Sequence, residues 1–120
     1  MSTTLNGQGL RTVAAKTANY TVVANTDNGK VFTNAGAAGA ITFALPAATV
    51  GQWYRFVVKA AQELRIDPNG TETISLPTGV QQAAGKYITF DAIGERVSIE
   101  CVKAGVWETS EAVGTITAEA

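Results

Sequence analysis

The side chains that carry most protein chemistry are scarce in this sequence. It contains no histidine and a single cysteine, Cys101. Histidine is the group most easily poised for proton transfer near neutral pH, and it is the commonest metal ligand, so its absence removes most catalytic triads, zinc sites and acid–base pairs. The residue inventory therefore predicts no catalytic residues, no metal site and no cofactor. It favours a protein that works by binding or assembly.

The ten acidic residues offer two arrangements that could still do chemistry. Pairs such as Glu63 with Asp67 have the residue types of a glycosidase, and the loop at residues 67–72 supplies oxygen atoms of the kind that calcium prefers. The first arrangement is expected in any chain with this many acids, and the second lacks a distal glutamate that would close a calcium loop. The run Asp-Pro-Asn-Gly is also typical of a tight turn. We interpret both groups as solvated acids at turns.

The single cysteine is predicted to be structural. Cys101 follows Val97 and Ile99 at alternate positions, and alternate residues of a strand face the same side. One cysteine cannot form an internal disulfide, and nothing nearby in the sequence would lower the pKa of its thiol. We expect a buried, unreactive thiol.

The charged residues are balanced and scattered along the chain. Nine basic and ten acidic residues give a net charge of −1, and no basic patch could release counterions from a phosphate backbone. No segment approaches the roughly 20 apolar residues of a membrane span, and the first residues lack the features of a secretory signal. The sequence therefore predicts neither nucleic acid nor a membrane as a partner, and it predicts synthesis and use in a cytoplasm.

The elements that must position any site are short β-strands separated by glycine, Asn-Gly and Leu-Pro turns. Roughly eight to ten such strands predict an all-β domain: a small antiparallel sandwich, a jelly-roll-like fold or a barrel. The turn Asp27-Asn28-Gly29 predicts a hairpin between its flanking strands. No run has the length or pattern of a helix. The predicted strands cover residues 20–23, 30–33, 41–45, 53–58, 64–67, 74–76, 87–90, 97–102 and 106–109, with a short edge strand after residue 113.

The chain is predicted to contain an extended N-terminal arm, residues 1–18, and one β domain, residues 19–120. The arm is rich in small polar residues and has no sustained hydrophobic period, so it cannot order itself by burial. We expect it to be mobile in isolation and to order on a neighbouring subunit by apolar contact and strand addition. The residues predicted to make this contact are Leu5, Leu10, Arg11, Val13 and Lys16.

Three aromatic residues are candidates for an oligomer or ligand interface. Trp53 and Tyr54 are adjacent and must point to opposite faces of a strand, so one ring is expected to escape the core. Trp107 is out of phase with the apolar Val106 and is a second candidate for exposure. Core packing remains the alternative for each ring.

Residues 39–48 (GAITFALPAA), 51–58 (GQWYRFVV) and 61–70 (AQELRIDPNG) carry a family resemblance. They resemble β-rich modules in virion structural proteins of tailed bacteriophages and prophages, and the resemblance covers about residues 17–109. Such modules occur in tail-fibre chains and as free-standing head proteins. The chain begins with Met1 and holds one module, which fits a free-standing protein.

The resemblance implies a non-enzymatic capsid decoration, or cement, protein. Its partner would be the major capsid protein, and it would act as a homo-oligomer, with a trimer favoured, on the surface of the virion head after synthesis in the host bacterial cytoplasm. The alternative is a tail-fibre or receptor-binding module that recognises host surface carbohydrate through its exposed aromatic rings.

Overall fold

The computed structural model describes residues 10–120, which form an all-β protein with no helix. This part of the chain therefore contains no helix that could cross a membrane. Its eleven strands are β1 (Val13–Ala15), β2 (Tyr20–Thr21), β3 (Val31–Thr33), β4 (Ile41–Ala44), β5 (Trp53–Val57), β6 (Leu64–Asp67), β7 (Thr73–Ile74), β8 (Ile88–Phe90), β9 (Arg96–Lys103), β10 (Val106–Val113) and β11 (Thr117–Ala118).

The strands form two mixed sheets, an arrangement that fits the predicted sandwich. The first sheet has the order β1-β3-β5-β9-β10-β7, and the second has the order β11-β8-β6-β4-β2. The first six strands alternate between the sheets, so that β1, β3 and β5 run parallel in one sheet and β2, β4 and β6 run parallel in the other. The first six strands thus form parallel pairs within each sheet. After them, β8 pairs antiparallel with β6, β9 pairs antiparallel with β5, and β10 pairs antiparallel with β9.

Two topological predictions are wrong. Five of the nine strand pairs in the described residues run parallel and four run antiparallel, so the sheets are mixed and not antiparallel. The turn at Asp27-Asn28-Gly29 does not close a hairpin, because β2 pairs with β4 and β3 pairs with β1 and β5. Gly29 does adopt the positive φ of 82° that the turn requires. The turn carries the chain from one sheet to the other.

The core lies between the two sheets, and strands β4, β5, β6 and β8 contribute alternate residues to it. Phe43 of the second sheet contacts Phe32 and Phe56 of the first, with ring centroids 5.3 and 5.2 Å apart. Such tilted aromatic contacts stabilise a core beyond the area they bury. The burial of Val97, Ile99 and Cys101 confirms the alternation predicted for β9, and large apolar side chains of the other strands are buried with them: Phe43, Leu45, Phe56 and Ile66.

One buried amide joins the two layers. The Asn34 side chain, directly after β3, is fully buried. Its Oδ1 accepts hydrogen bonds from the amides of Lys59 (2.7 Å) and Ala60 (2.9 Å), and its Nδ2 donates to the carbonyls of Ala60 (3.1 Å) and Gln62 (3.3 Å). The amide therefore satisfies four polar backbone groups of the connection between β5 and β6, which passes from the first sheet to the second.

The predicted arm is partly a strand of the domain. Residues 13–15 form β1, which pairs in parallel with β3, and Ala14 packs against the core. These three residues therefore belong to the β domain, although the sequence predicted that the arm extends to residue 18. Alanine and valine gave no periodic signal there, but β3 supplies backbone partners that the sequence did not reveal. Leu5 lies outside the described residues.

Candidate functional site

Trp53 marks the outer face of the first sheet. Its side chain is half-buried, whereas its neighbour Tyr54 is fully buried, so the two rings do point to opposite faces. Trp107 is also fully buried, and its ring lies 5.7 Å from that of Tyr54. The prediction that Tyr54 or Trp107 forms an interface is therefore wrong for this chain. Val106 is only partly buried and Glu108 faces outward beside Glu100, so alternation along β10 directs Trp107, and not its apolar neighbour Val106, toward the core.

Arginine side chains flank the Trp53 ring. The guanidinium of Arg11 lies 4.2 Å from the ring centroid, and that of Arg55 lies 6.0 Å from it. Val13 pairs with Val31, so Arg11 stands beside Gly29, whose amide donates to the Trp53 carbonyl (2.7 Å). Because glycine has no side chain, Arg11 can reach across β3 to the ring. The cation–π contact holds an otherwise exposed arginine in a defined place.

The far half of this face is acidic. Glu100 pairs with Trp53 across β5 and β9, and Glu108 pairs with Glu100 across β9 and β10, so these carboxylates share the outer face. Arg55 donates to Ser98 Oγ (2.9 Å) and forms an ion pair with Glu111 (2.6 Å). The ion pairs found within residues 10–120 do not include Glu100 or Glu108. We call this surface, from Arg11 through Trp53 to Glu100 and Glu108, the tryptophan face.

Within residues 10–120, β1 is one of the two edge strands of the first sheet. The carbonyl of Thr12 and the amide of Lys16 bond to β3, at 2.9 Å each. Backbone groups of a strand alternate in direction, so the amides of Val13 and Ala15 point away from the sheet. Leu10 and Val13 are 78% and 64% exposed beside this edge. β1 is therefore able to accept a further strand.

The structure separates the predicted arm residues into two groups. Leu10 and Val13 are exposed at the edge, as the contact prediction requires. Arg11 and Lys16 instead cover aromatic rings of the same chain, since the Lys16 ammonium lies 3.9 Å from the ring centroid of Tyr20. The sequence revealed the residue types but not these partners.

A polar cavity of about 380 Å³ lies where the loop after β2 meets the loop before β5. Its lining residues include Asn25, Asn28, Thr49, Val50 and Gln52, and none of its lining residues is charged. Asn25 has a φ of 69°, a strained value for a residue other than glycine. The cavity suits a neutral ligand with hydroxyl or amide groups. Sequence reasoning missed it because its two loops are distant in the chain.

Asp27 is a buried carboxylate with a structural role. It accepts hydrogen bonds from Tyr20 Oη (2.7 Å), the Val23 amide (2.8 Å) and Lys30 Nζ (2.7 Å). Burial raises the pKa of Asp27, but these hydrogen bonds and the Lys30 charge outweigh it and hold that pKa below its ordinary value. The hydrogen bond to Asp27 raises the pKa of Tyr20. Both carboxylate oxygens of Asp27 therefore accept hydrogen bonds that stabilise the β2–β3 connection.

Two of the acids that could have done chemistry, Glu63 and Glu72, are engaged in the fold. Glu63 forms an ion pair with Arg65 (3.1 Å), and the Glu72 carboxylate accepts the Ala48 amide at 2.9 and 3.1 Å. Burial and then the nearby charge of Glu119 raise the pKa of Asp67. Within residues 10–120, no group of three or more histidine, cysteine or acidic side chains could hold a metal ion.

Cys101 is buried, as predicted, and its thiol donates to the Lys103 carbonyl (3.1 Å). Burial raises the pKa of this thiol, which opposes formation of the reactive thiolate.

Fold and surface together describe a two-sheet β protein whose distinctive features are an open strand edge, a charged tryptophan face and a neutral cavity. No protein-family model matches the chain, and no curated protein matches it.

Proposed function

We propose that this protein is a non-enzymatic structural component of a tailed-bacteriophage virion, which binds neighbouring subunits of the major capsid protein on the assembled head and reinforces them. The sequence resemblance of residues 39–70 to virion modules supports the protein class. The open edge of β1, with Leu10 and Val13 exposed beside it, is the structural observation that carries the proposed mode of binding.

The mechanism is strand addition. A strand of a capsid subunit bonds to the outward backbone groups of Val13 and Ala15, while its side chains cover Leu10 and Val13. Each covered apolar side chain contributes about 2 kcal/mol, and each hydrogen bond contributes about 1 kcal/mol. One copy therefore binds weakly. Reinforcement comes from many copies that bind only the assembled shell and so shift the equilibrium toward it.

Proline at residue 15 tests this mechanism directly. Ala15→Pro removes an amide that points away from β3, so the β1–β3 ladder stays intact while the added strand loses a donor. We expect Ala15→Pro to keep the wild-type melting temperature and to lose binding to purified particles that lack the protein. Leu10→Ser is expected to weaken binding as well.

Two control variants show whether a loss of binding is specific to the outward side of β1. Val80→Ser removes an exposed apolar side chain (58% exposed) from a loop remote in sequence and should bind like the wild type. Ala14→Pro removes an amide on the β3 side of β1 and should destabilise the domain. Normal particle binding by folded Ala15→Pro would exclude strand addition at β1.

The second candidate function is a tail-fibre or receptor-binding module, and the neutral cavity favours it. Asn25, Asn28 and Gln52 offer amide donors and acceptors of the kind that bind sugar hydroxyls. Arg11 occupies one side of the Trp53 ring, so hydrogen bonding in the cavity replaces the ring stacking that the sequence suggested.

Two measurements separate the candidates. A stained gel of purified particles gives the copy number, which is high for a head protein and low for a tail protein. Titration with host polysaccharide should leave the tryptophan fluorescence unchanged if the protein decorates the capsid. A saturable shift in the wild type that Asn25→Ala abolishes would favour receptor binding instead.

A further inference from the structure

The charges of the tryptophan face are distributed unequally about Trp53. The register of the first sheet sets one row of residues across five strands or their extensions: Arg11, Gly29, Trp53, Glu100 and Glu108. The cation lies on the β1 side of the tryptophan, and both carboxylates lie on the β10 side. Each half of the row is therefore the electrostatic complement of the other.

We propose that the tryptophan face binds the same face of a second copy of this chain, with a twofold axis that runs parallel to the strands near Trp53. This symmetry places Arg11 of each copy opposite Glu100 and Glu108 of the other, and it brings the two Trp53 rings together at the axis. A patch that carries both halves of a charge pattern suits such an isologous contact, in which one surface meets itself. A trimer would instead need two different complementary patches.

The state of the side chains supports this pairing. Arg11 is already positioned by its contact with Trp53, so it loses little conformational freedom on binding. Glu100 and Glu108 lie outside the ion pairs found within residues 10–120, and they are half-buried beside each other, where like charges repel. An opposing arginine relieves that repulsion.

The size of the face sets the expected strength of the pair. At a strand spacing of about 4.8 Å, the row from β1 to β10 spans roughly 19 Å. A single row of side chains of this length covers less area than the roughly 800 Å² that each partner buries in a standard interface. We therefore expect a weak, salt-sensitive dimer, visible at high protein concentration and low ionic strength. Dimerisation is measured without particles, so its result does not depend on whether the proposed function is correct.

Charge reversal tests the pairing by sedimentation equilibrium over a wide range of concentration. Arg11→Glu places the introduced carboxylate opposite Glu100 and Glu108 of the other copy, and Glu108→Arg places the introduced guanidinium opposite Arg11. We expect each variant alone to dimerise at least tenfold more weakly than the wild type. An equimolar mixture of the two variants should form heterodimers, because three of the four cross-contacts are then attractive and only the carboxylate introduced at residue 11 still faces Glu100.

Arg65→Glu is the matched control. It makes the same substitution on the outer face of the second sheet, where Arg65 pairs at the surface with Glu63 and lies 3.9 Å from the ring centroid of Tyr87, and it should dimerise like the wild type. A wild type that is monomeric at every concentration, or trimeric, would overturn the proposal. So would single variants that dimerise normally, or a mixture that fails to recover association.

Discussion

Two tyrosines in the same core differ in what their hydroxyl groups do. Tyr20 donates to the buried carboxylate of Asp27, whereas Tyr54 is fully buried and its hydroxyl has no hydrogen-bond partner among the described residues. Burial also raises the pKa of Tyr54 to about 12. An unpaired buried hydroxyl opposes folding, because water must be removed from it without replacement.

We therefore expect Tyr20→Phe to lower the free energy of unfolding by about 1–3 kcal/mol, and Tyr54→Phe to leave it unchanged or to raise it. Urea denaturation of the two variants measures both effects. An equal loss in Tyr54→Phe and Tyr20→Phe would show that the Tyr54 hydroxyl has a partner in solution.

Two aspartates give stability opposite dependences on pH. The folded pKa of Asp27 is below its ordinary value of 3.8, so its stabilisation is complete above pH 3.8 and is lost as the pH falls below it. The folded pKa of Asp67 is above 3.8, so its charged form opposes folding at neutral pH, and protonation relieves this between that raised pKa and pH 3.8.

We expect Asp67→Asn to stabilise the protein at pH 7 and to lose this advantage near pH 3.8. Asp27→Asn should destabilise it at pH 7 and flatten the loss of stability in acid. Unfolding free energies measured from pH 3 to pH 7 test both variants. A destabilised Asp67→Asn at neutral pH would contradict the assignment.

At the scale of elements, the connection between β5 and β6 depends on one side chain. Asn34→Ala leaves two amides and two carbonyl contacts of that connection without their partner, so we expect a loss of about 3 kcal/mol. Hydrogen exchange at Lys59 and Ala60 should accelerate at the same time. Asn19 is the control, because its Oδ1 accepts a single bond from Thr42 at an exposed site, and Asn19→Ala should cost about 1 kcal/mol or less. Equal losses would exclude a special role for Asn34.

At the scale of the whole molecule, β1 links folding to both proposed interactions. A truncated chain that begins at Thr17 lacks β1 and Arg11 but keeps the remaining strands of both sheets. We expect it to fold, with a lower melting temperature because Ala14 no longer packs on the core, and to lose both particle binding and self-association. Circular dichroism, particle pull-down and sedimentation test the three outcomes. Retention of full particle binding would exclude a role for the N-terminal segment.

The sequence by itself determined where most of the strands lie and which side chains strands such as β4 and β9 bury. Alternation along residues 41–45 and 97–101 predicted the buried positions of β4 and β9, and Gly29 takes the positive φ that its turn signal required. These properties are local, because the side-chain direction of a strand and the backbone freedom of glycine depend on a few neighbouring residues.

Only the tertiary structure decided which strands are neighbours. β2 and β3 flank a turn typical of hairpins, yet they lie in different sheets, and β10 buries Trp107 while its apolar neighbour Val106 is only partly buried. The row from Arg11 to Glu108 joins residues nearly a hundred positions apart. Pairing between distant strands is chosen by the packing of both layers around one core, and no local pattern in the sequence encodes that choice.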